Sequence, residues 1–111
     1  MQPVKLKNPN DDIIFFDFEC NQEKGKHEVN YCVAQYLNSD EYIEFNTNQE
    51  FCKWLFKKEH SNHTVIAHNG RGYDFQFILQ YCVENNIFPY TIYAGSKIMY
   101  MFVKLFKIRF V

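Results

Sequence analysis

Short apolar runs separated by polar turns occupy both ends of the chain, and their spacing predicts most of its elements. Residues 12–18, 31–37 and 42–46 are rich in strand-forming residues, which predicts three successive antiparallel strands. Residues 64–68 form a further short apolar strand. Residues 88–111, interrupted by a Gly-Ser-Lys turn, predict two or three closing strands.

Two segments show the spacing of amphipathic helices instead. One follows Thr47, which forms a capping-box pattern with Glu50 and precedes a stripe of Phe51, Trp54 and Leu55. The other follows a glycine-punctuated loop, and its apolar residues recur at i, i+3, i+4, i+7 and i+8. These residues are Phe75, Ile78, Leu79, Cys82 and Val83, and the stop signals are Asn85 and Asn86.

The order of elements is three strands, a helix, a strand, a second helix and further strands. A meander followed by β-α units predicts an α/β fold, with a mixed sheet covered by helices. We expect one domain over residues 12–111 after a polar lead-in over residues 1–11. The last apolar segment ends at Val111, which predicts an open sheet edge and suggests part of a longer protein.

Composition excludes a disordered chain and a membrane-spanning one. Of the 111 residues, 47% are hydrophobic and 19% aromatic, which is ample material for a core. No uncharged apolar run approaches the ~18 residues of a membrane span, and no secretory signal is visible. The cysteines Cys20, Cys32, Cys52 and Cys82 form no C-x-x-C pair, which predicts reduced core thiols in a soluble, intracellular protein.

Charge is distributed unevenly along the chain. Residues 1–50 carry ten acids and four Lys, a balance of −6, whereas residues 51–111 carry three acids and eight basic residues, a balance of +5. This asymmetry indicates either a polyanionic partner or a solvated surface. The basic residues of the last segment are Lys97, Lys104, Lys107 and Arg109, interleaved with Tyr100, Phe102 and Phe106. They are consistent with a strand that tracks a nucleic acid, but ordinary alternation between core and solvent is the preferred explanation.

Two carboxylates interrupt the first predicted strand, in the segment IIFFDFEC. Asp17 and Glu19 are two residues apart, so both point to the same face of the strand, next to a core. Like charges held side by side repel each other, and each costs free energy to desolvate. A divalent cation that prefers oxygen ligands, Mg²⁺ or Mn²⁺, would turn this repulsion into a binding site. Phosphodiester chemistry at such sites often uses two metals.

A third carboxylate, Asp74, stands at the start of the second predicted helix. Strand ends and helix starts converge at one edge of an α/β sheet, so we expect Asp74 to meet Asp17 and Glu19 there. Two structural explanations stay open. Asp74 is also a preferred N-cap residue, and the other two carboxylates also suit a strand end that reaches solvent.

A zinc site is a different hypothesis for the same chain. Eight residues are candidate ligands: Cys20, His27, Cys32, Cys52, His60, His63, His68 and Cys82. Close ligand spacing occurs only in the pairs His60/His63 and His63/His68, which flank a predicted strand. Histidines in that context are more often structural, so the spacing does not favour zinc.

The carboxylate motifs resemble a known family. The segment FFDFEC resembles the first exonuclease motif of family B DNA polymerases, an Asp-x-Glu core, and AHNGRGYDFQFIL resembles their second motif, Asn-x-x-x-Phe/Tyr-Asp. The resemblance is greatest to the protein-primed polymerases of viruses, organellar plasmids and Maverick (Polinton) transposons. It extends from Ile13 to Val111 and includes similar runs at HEVNYCVAQ and YAGSKIM.

The resemblance implies a ribonuclease-H-like (DnaQ-like) 3′–5′ exonuclease fold that proofreads. Asp17, Glu19 and Asp74 would be the catalytic metal ligands, and Asn69 and Tyr73 would contact the single-stranded 3′ end of DNA. Arg71, in the same loop, is a candidate partner for a phosphate. The implied partners are a primer-template and, for a full-length polymerase, a terminal protein primer, with nuclear localisation if the source is a eukaryotic transposon.

The chain also departs from the family pattern. The third exonuclease motif, with a Tyr and a final catalytic Asp, has no counterpart, because the only acid after Asp74 is Glu84, which we expect to be exposed in mid-helix. The polymerase palm, fingers and thumb are absent too. We therefore expect a C-terminally truncated fold with an incomplete two-metal site. The alternative is an inactive relic that acts at most as a nucleic-acid-binding module.

Overall fold

The computed structural model describes residues 12–21, 28–67 and 74–111, which form seven strands and two α-helices. The strands are β1 (Ile13–Asn21), β2 (Glu28–Tyr36), β3 (Ile43–Phe45), β4 (Thr64–Ala67), β5 (Tyr90–Ala94), β6 (Lys97–Val103) and β7 (Ile108–Phe110). The helices are α1 (Asn48–Leu55) and α2 (Asp74–Glu84), and a 3₁₀ turn spans Lys58–His60. The predicted elements are thus confirmed within these ranges, in the predicted order.

All seven strands join one mixed sheet in the order β3-β2-β1-β4-β7-β6-β5. The predicted meander is confirmed, because β1 pairs antiparallel with β2, and β2 with β3. β4 then pairs parallel with both β1 and β7, and the remaining pairs are antiparallel. This mixed α/β arrangement is compatible with the ribonuclease-H-like fold that the resemblance implies.

The prediction of an open sheet edge at the last strand is wrong. β7 lies inside the sheet, where Phe110 is level with Val65 of β4 on one side and with Met101 of β6 on the other. The backbone N–H of Val111 donates to the Val65 carbonyl at 3.0 Å. The edge strands of the described sheet are β3 and β5. Hydrophobic spacing identifies a strand but not its neighbours, so this pairing was not readable from the sequence.

The two helices cover the same face of the sheet. Ile14, Phe16 and Phe18 of β1 are buried on that face, and the Phe16 ring lies 5.3 Å from the Phe51 ring of α1. Phe18 packs edge-on against Phe77 of α2, with the ring centroids 5.9 Å apart. The alternate residues of β1 point to the opposite face, which we call the carboxylate face because Asp17 stands on it.

Helix α1 begins at the predicted cap, with one change in its hydrogen bonds. The Thr47 hydroxyl accepts from the Glu50 backbone N–H at 3.1 Å. The Glu50 carboxylate reaches back to the backbone N–H of Asn46 at 2.9 Å, one residue before the position that a capping box uses. Phe51 and Leu55 are fully buried, and Trp54 packs at the border of the core.

Helix α2 buries a face that is rotated from the predicted one. Phe75, Ile78 and Cys82 are buried as predicted, but Val83 is 51% exposed. Tyr81 is buried in its place, and its ring stacks on Phe56 at a centroid distance of 5.9 Å. The predicted stripe is therefore wrong at Val83, because contact with the Phe56 ring favours the burial of Tyr81 instead.

The end of α2 confirms the predicted stop signals. Asn86 has a positive φ of 61°, the left-handed conformation that ends many helices. The Ile87 backbone N–H donates to the Cys82 carbonyl at 2.7 Å, and the Asn86 N–H donates to the Val83 carbonyl. This is the Schellman pattern. Glu84 is the last residue of the helix, so its predicted mid-helix position is wrong, although it is exposed as expected.

Candidate active site

Strand β1 holds two carboxylates on one face, as the alternation predicted. Phe16 and Phe18 are each 1% exposed, whereas Asp17 between them is only partly buried and Glu19 is exposed. In register, Asp17 is opposite Val33 of β2, and Glu19 is opposite Tyr31. The two carboxylates therefore project from a strand whose other side is part of the hydrophobic core.

Asp74 approaches the site from the helix side of the sheet. It is the first residue of α2, and its side chain is 2% exposed. Asp74 is therefore one residue past the N-cap position that the structural explanation assigned to it, although a carboxylate is also favoured in the first turn, where the macrodipole is positive. Strand β4, which precedes α2 in the chain, is parallel to β1 and ends with Ala67 level with Phe16.

The pKa of the buried Cys32 thiol is affected by both aspartates. Burial raises its pKa far above the ordinary value, and the Asp17 and Asp74 carboxylates raise this pKa further. Both carboxylates therefore lie within electrostatic range of the same sulfur atom.

The three predicted carboxylate ligands do not form a metal-binding cluster. Within residues 12–21, 28–67 and 74–111, no three His, Cys, Asp or Glu side chains are close enough to hold a metal ion. Asp17, Glu19 and Asp74 all lie in these ranges, and the structure does not gather them into one ligand set. Their donor chemistry suits Mg²⁺ or Mn²⁺, because carboxylate oxygens are the ligands that these ions prefer.

The zinc candidates within those ranges do not form a group that could hold a metal ion either. Both ring nitrogens of His60 are engaged, Nδ1 with the Leu55 carbonyl at 3.0 Å and Nε2 with the Tyr36 hydroxyl at 2.7 Å. Burial raises the pKa of the Cys82 thiol to about 12 and that of Cys52 well above its ordinary value. Both thiols are therefore protonated in the metal-free core. Cys32, Cys52 and Cys82 are free thiols in the core, as predicted.

Three predicted DNA-binding residues, Asn69, Arg71 and Tyr73, lie outside the residues that the structure describes. The same is true of the zinc candidates His27 and His68 and of the side chain of Cys20. Their assigned roles remain predictions from the sequence.

A cavity of about 280 Å³ adjoins Asp17, and it was not predicted. It opens between β1 and the segment before β3, and its lining includes Phe15, Val33, Gln35 and Tyr42. A weak signal was present, because strand alternation places Phe15 and Asp17 on the same face. The strand register that brings Gln35 opposite Phe15 was not available from the sequence.

The basic residues of the last segment are exposed, whereas the aromatic residues between them are partly buried. Arg109 is exposed between two buried neighbours of β7, level with Thr64 and Phe102, which places it on the carboxylate face. Phe106 instead packs against Phe56, with the rings stacked at 6.2 Å. Ordinary alternation between core and solvent therefore explains most of this segment, as preferred from the sequence. Lys97, Lys104 and Lys107 are exposed.

Comparison with known proteins supports a relationship to DNA polymerases. The chain is 29% identical over 83 residues to the DNA polymerase of Fowlpox virus (strain NVSL). The match covers 74% of this chain but only 8% of that polymerase. No family model and no solved structure matches the chain. In the described residues, no helix is long and apolar enough to cross a membrane.

Proposed function

We propose that this chain is part of a protein-primed family B DNA polymerase and carries the first two motifs of a two-metal 3′–5′ proofreading exonuclease. One observation carries the proposal. Asp17 and Glu19 project from the same face of strand β1, and Phe16 and Phe18 beside Asp17 are buried on the opposite face. The sequence similarity to a viral DNA polymerase supports the polymerase part of the proposal.

In this proposal, Asp17, Glu19 and Asp74 would hold Mg²⁺ or Mn²⁺, which supplies charge stabilisation at the scissile phosphodiester. The β1 strand orients Asp17 rigidly, because Phe16 and Phe18 anchor the backbone on each side of it in the core. Asp74 is shielded from water, which strengthens its attraction to a cation. Glu19 is exposed, so its carboxylate would be accessible to a metal ion from solvent.

The proposed substrate is the single-stranded 3′ end of a primer-template. Asn69 and Tyr73 would contact that end by hydrogen bonding and stacking, and Arg71 would pair with a phosphate. The support for these three roles is the motif resemblance. A terminal protein primer would be a partner of the longer polymerase. Without the third exonuclease motif, we expect the 111-residue chain itself to cleave slowly or not at all.

Metal binding tests the proposal more directly than cleavage does. We expect Mn²⁺ titrated into the 111-residue chain to bind weakly, and Asp17→Asn to weaken this binding at least tenfold. Asp40→Asn is the matched control, because Asp40 is an exposed aspartate in the turn after β2. Isothermal titration calorimetry measures both, and circular dichroism confirms that each variant is folded. Equal Mn²⁺ affinity for Asp17→Asn and the parent would refute the site.

A second candidate is a module that binds single-stranded nucleic acid without cleaving it. It is favoured by Arg109, which stands on the carboxylate face beside Phe102, and by four basic residues without an acid in residues 97–111. Such binding needs no metal and falls steeply with salt. In EDTA, Arg109→Gln would weaken oligonucleotide binding while Asp17→Asn would not. When Mn²⁺ is present, the exonuclease proposal requires Asp17→Asn to weaken oligonucleotide binding more than Arg109→Gln does.

A further inference from the structure

The cavity beside Asp17 has a composition that suits a planar ring with polar edges. Phe15 and Val33 supply apolar walls, Gln35 supplies an amide, and Tyr42 supplies an aromatic ring at the rim. The Tyr42 side chain is 68% exposed, so its ring is available for stacking. With about 280 Å³, the cavity lies just below the usual range for ligand pockets, roughly 300–1,000 Å³. It has space for one small planar group.

Three hydrogen bonds hold the turn that precedes Tyr42. The Ser39 backbone N–H donates to the Tyr36 carbonyl at 3.1 Å, and the Ser39 hydroxyl accepts from the Glu41 N–H at 3.1 Å. Gln35 Nε2 donates to the Ser39 carbonyl at 2.7 Å. This bond orients the Gln35 amide and leaves its oxygen able to accept from a ligand. A rim fixed before binding loses little entropy when a ligand arrives.

The cavity and the carboxylates are neighbours along one strand. Phe15 and Asp17 are two residues apart on the same face of β1, a separation of about 6.6 Å along the strand. Asp17 itself lines the cavity. A ring placed between Phe15 and Tyr42 would thus bring the sugar and phosphate attached to it towards Asp17.

We propose that this cavity binds the nucleobase of the nucleotide whose phosphodiester faces Asp17, with Tyr42 as the stacking platform and Gln35 as the hydrogen-bonding group. The inference rests on the proposed nuclease function and adds a base-binding subsite to it. Stacking tolerates any base, because every base has a π-face, so we expect purines and pyrimidines both to bind. The Gln35 oxygen favours bases with an exocyclic amine, namely adenine, cytosine and guanine, over thymine.

Uncharged deoxynucleosides test the subsite separately from the metal site, because they carry no phosphate. Deoxyadenosine and thymidine are titrated into the 111-residue chain in EDTA, and binding is followed by NMR chemical-shift changes. We expect saturable binding at β1 and β2, with deoxyadenosine tighter than thymidine. Tyr42→Ala should weaken it roughly five-fold to a hundred-fold, the effect of losing one base–aromatic stack.

Tyr90→Ala is the matched control, because Tyr90 is a similarly exposed tyrosine, 64%, on the edge strand β5. It should bind deoxyadenosine like the parent, and Gln35→Met should remove the preference over thymidine. Equal binding by Tyr42→Ala and the parent, or no saturable binding, overturns the subsite. Mn²⁺ binding that depends on Asp17 would survive that result, so the two proposals fail separately.

Discussion

At the residue scale, His60 shows how a polar side chain is accommodated in the core. It is 1% exposed, yet both of its ring nitrogens have partners. Because the Leu55 carbonyl only accepts, Nδ1 carries the proton, and the Tyr36 hydroxyl therefore donates to Nε2. This tautomer is neutral, and burial accordingly lowers the pKa of His60 below its ordinary value of 6.5.

The lowered pKa of His60 predicts a loss of stability in mild acid. The unfolded chain binds a proton at His60 near pH 6.5, whereas the folded chain resists protonation, so protonation favours unfolding. The contribution is fully present above pH 6.5 and is lost as the pH falls towards the folded pKa. Urea unfolding between pH 5 and pH 7.5 measures this slope. His60→Gln should be less stable at pH 7.5 but should show a shallower slope, and an unchanged slope would contradict the assignment.

The Thr47 cap gives a second prediction at this scale. Thr47→Ala removes the oxygen that accepts from the Glu50 N–H, and we expect it to cost about 1 kcal/mol of unfolding free energy. Thr47→Ser keeps the oxygen and serves as the control. Chemical denaturation of the parent and the two variants measures this change in unfolding free energy. Equal losses of unfolding free energy for both variants would show that the methyl group, and not the hydroxyl, stabilises the helix start.

The functional residues differ in how far the sequence could predict them. Asp17 and Glu19 were predictable because strand alternation is a local rule, and their common face is observed. The general behaviour of α/β sheets predicted that Asp74 meets the other two carboxylates, but the described residues hold no metal-binding group of three such side chains. The role of Tyr42 had no local sequence signal, because the cavity it lines is formed with residues of β1 and β2.

At the element scale, α2 shows the limit of periodicity. With 3.6 residues per turn, stripes through Cys82 and Val83 or through Tyr81 and Cys82 both satisfy the helical rhythm. The packing surface formed by Phe56 selects the second. The start and end of the element were more predictable than its face, because Asn86 terminates the helix through its own backbone conformation.

The rotated face of α2 predicts opposite results for two apolar truncations. Ile78→Ala opens a cavity at a fully buried position, and we expect it to cost ~2–5 kcal/mol. Val83→Ala lies at a half-exposed position and should change the unfolding free energy by no more than about 0.5 kcal/mol. Urea denaturation compares them. Comparable losses of unfolding free energy at the two positions would indicate that α2 buries the face predicted from the sequence spacing.

At the scale of the whole molecule, β7 connects the two halves of the sheet. It pairs parallel with β4, which belongs with β1–β3, and antiparallel with β6 of the closing hairpin. The Phe110 ring packs against both Phe56 and Phe75 on the helix side. A strand formed by the last residues of the chain thus completes the core, and its contacts are far apart in sequence.

This position predicts that the last strand is essential to stability. Phe110→Ala should cost ~3–5 kcal/mol, because a fully buried ring between two halves of the sheet is lost. Arg109→Ala, on the same strand but pointing to the carboxylate face, should stay within about 0.5 kcal/mol of the parent. Thermal and urea unfolding test the pair. If both variants unfold like the parent, the interior position of β7 is wrong.

The sequence by itself determined the elements, their order, the helix caps and the common face of Asp17 and Glu19, because these follow from local periodicity and side-chain chemistry. The tertiary structure alone decided the insertion of β7, the face that α2 buries, the burial of Asp74 near Cys32, and the cavity under Tyr42. These features depend on contacts between residues distant in the chain, and such contacts are set by which packing arrangement buries the most apolar surface.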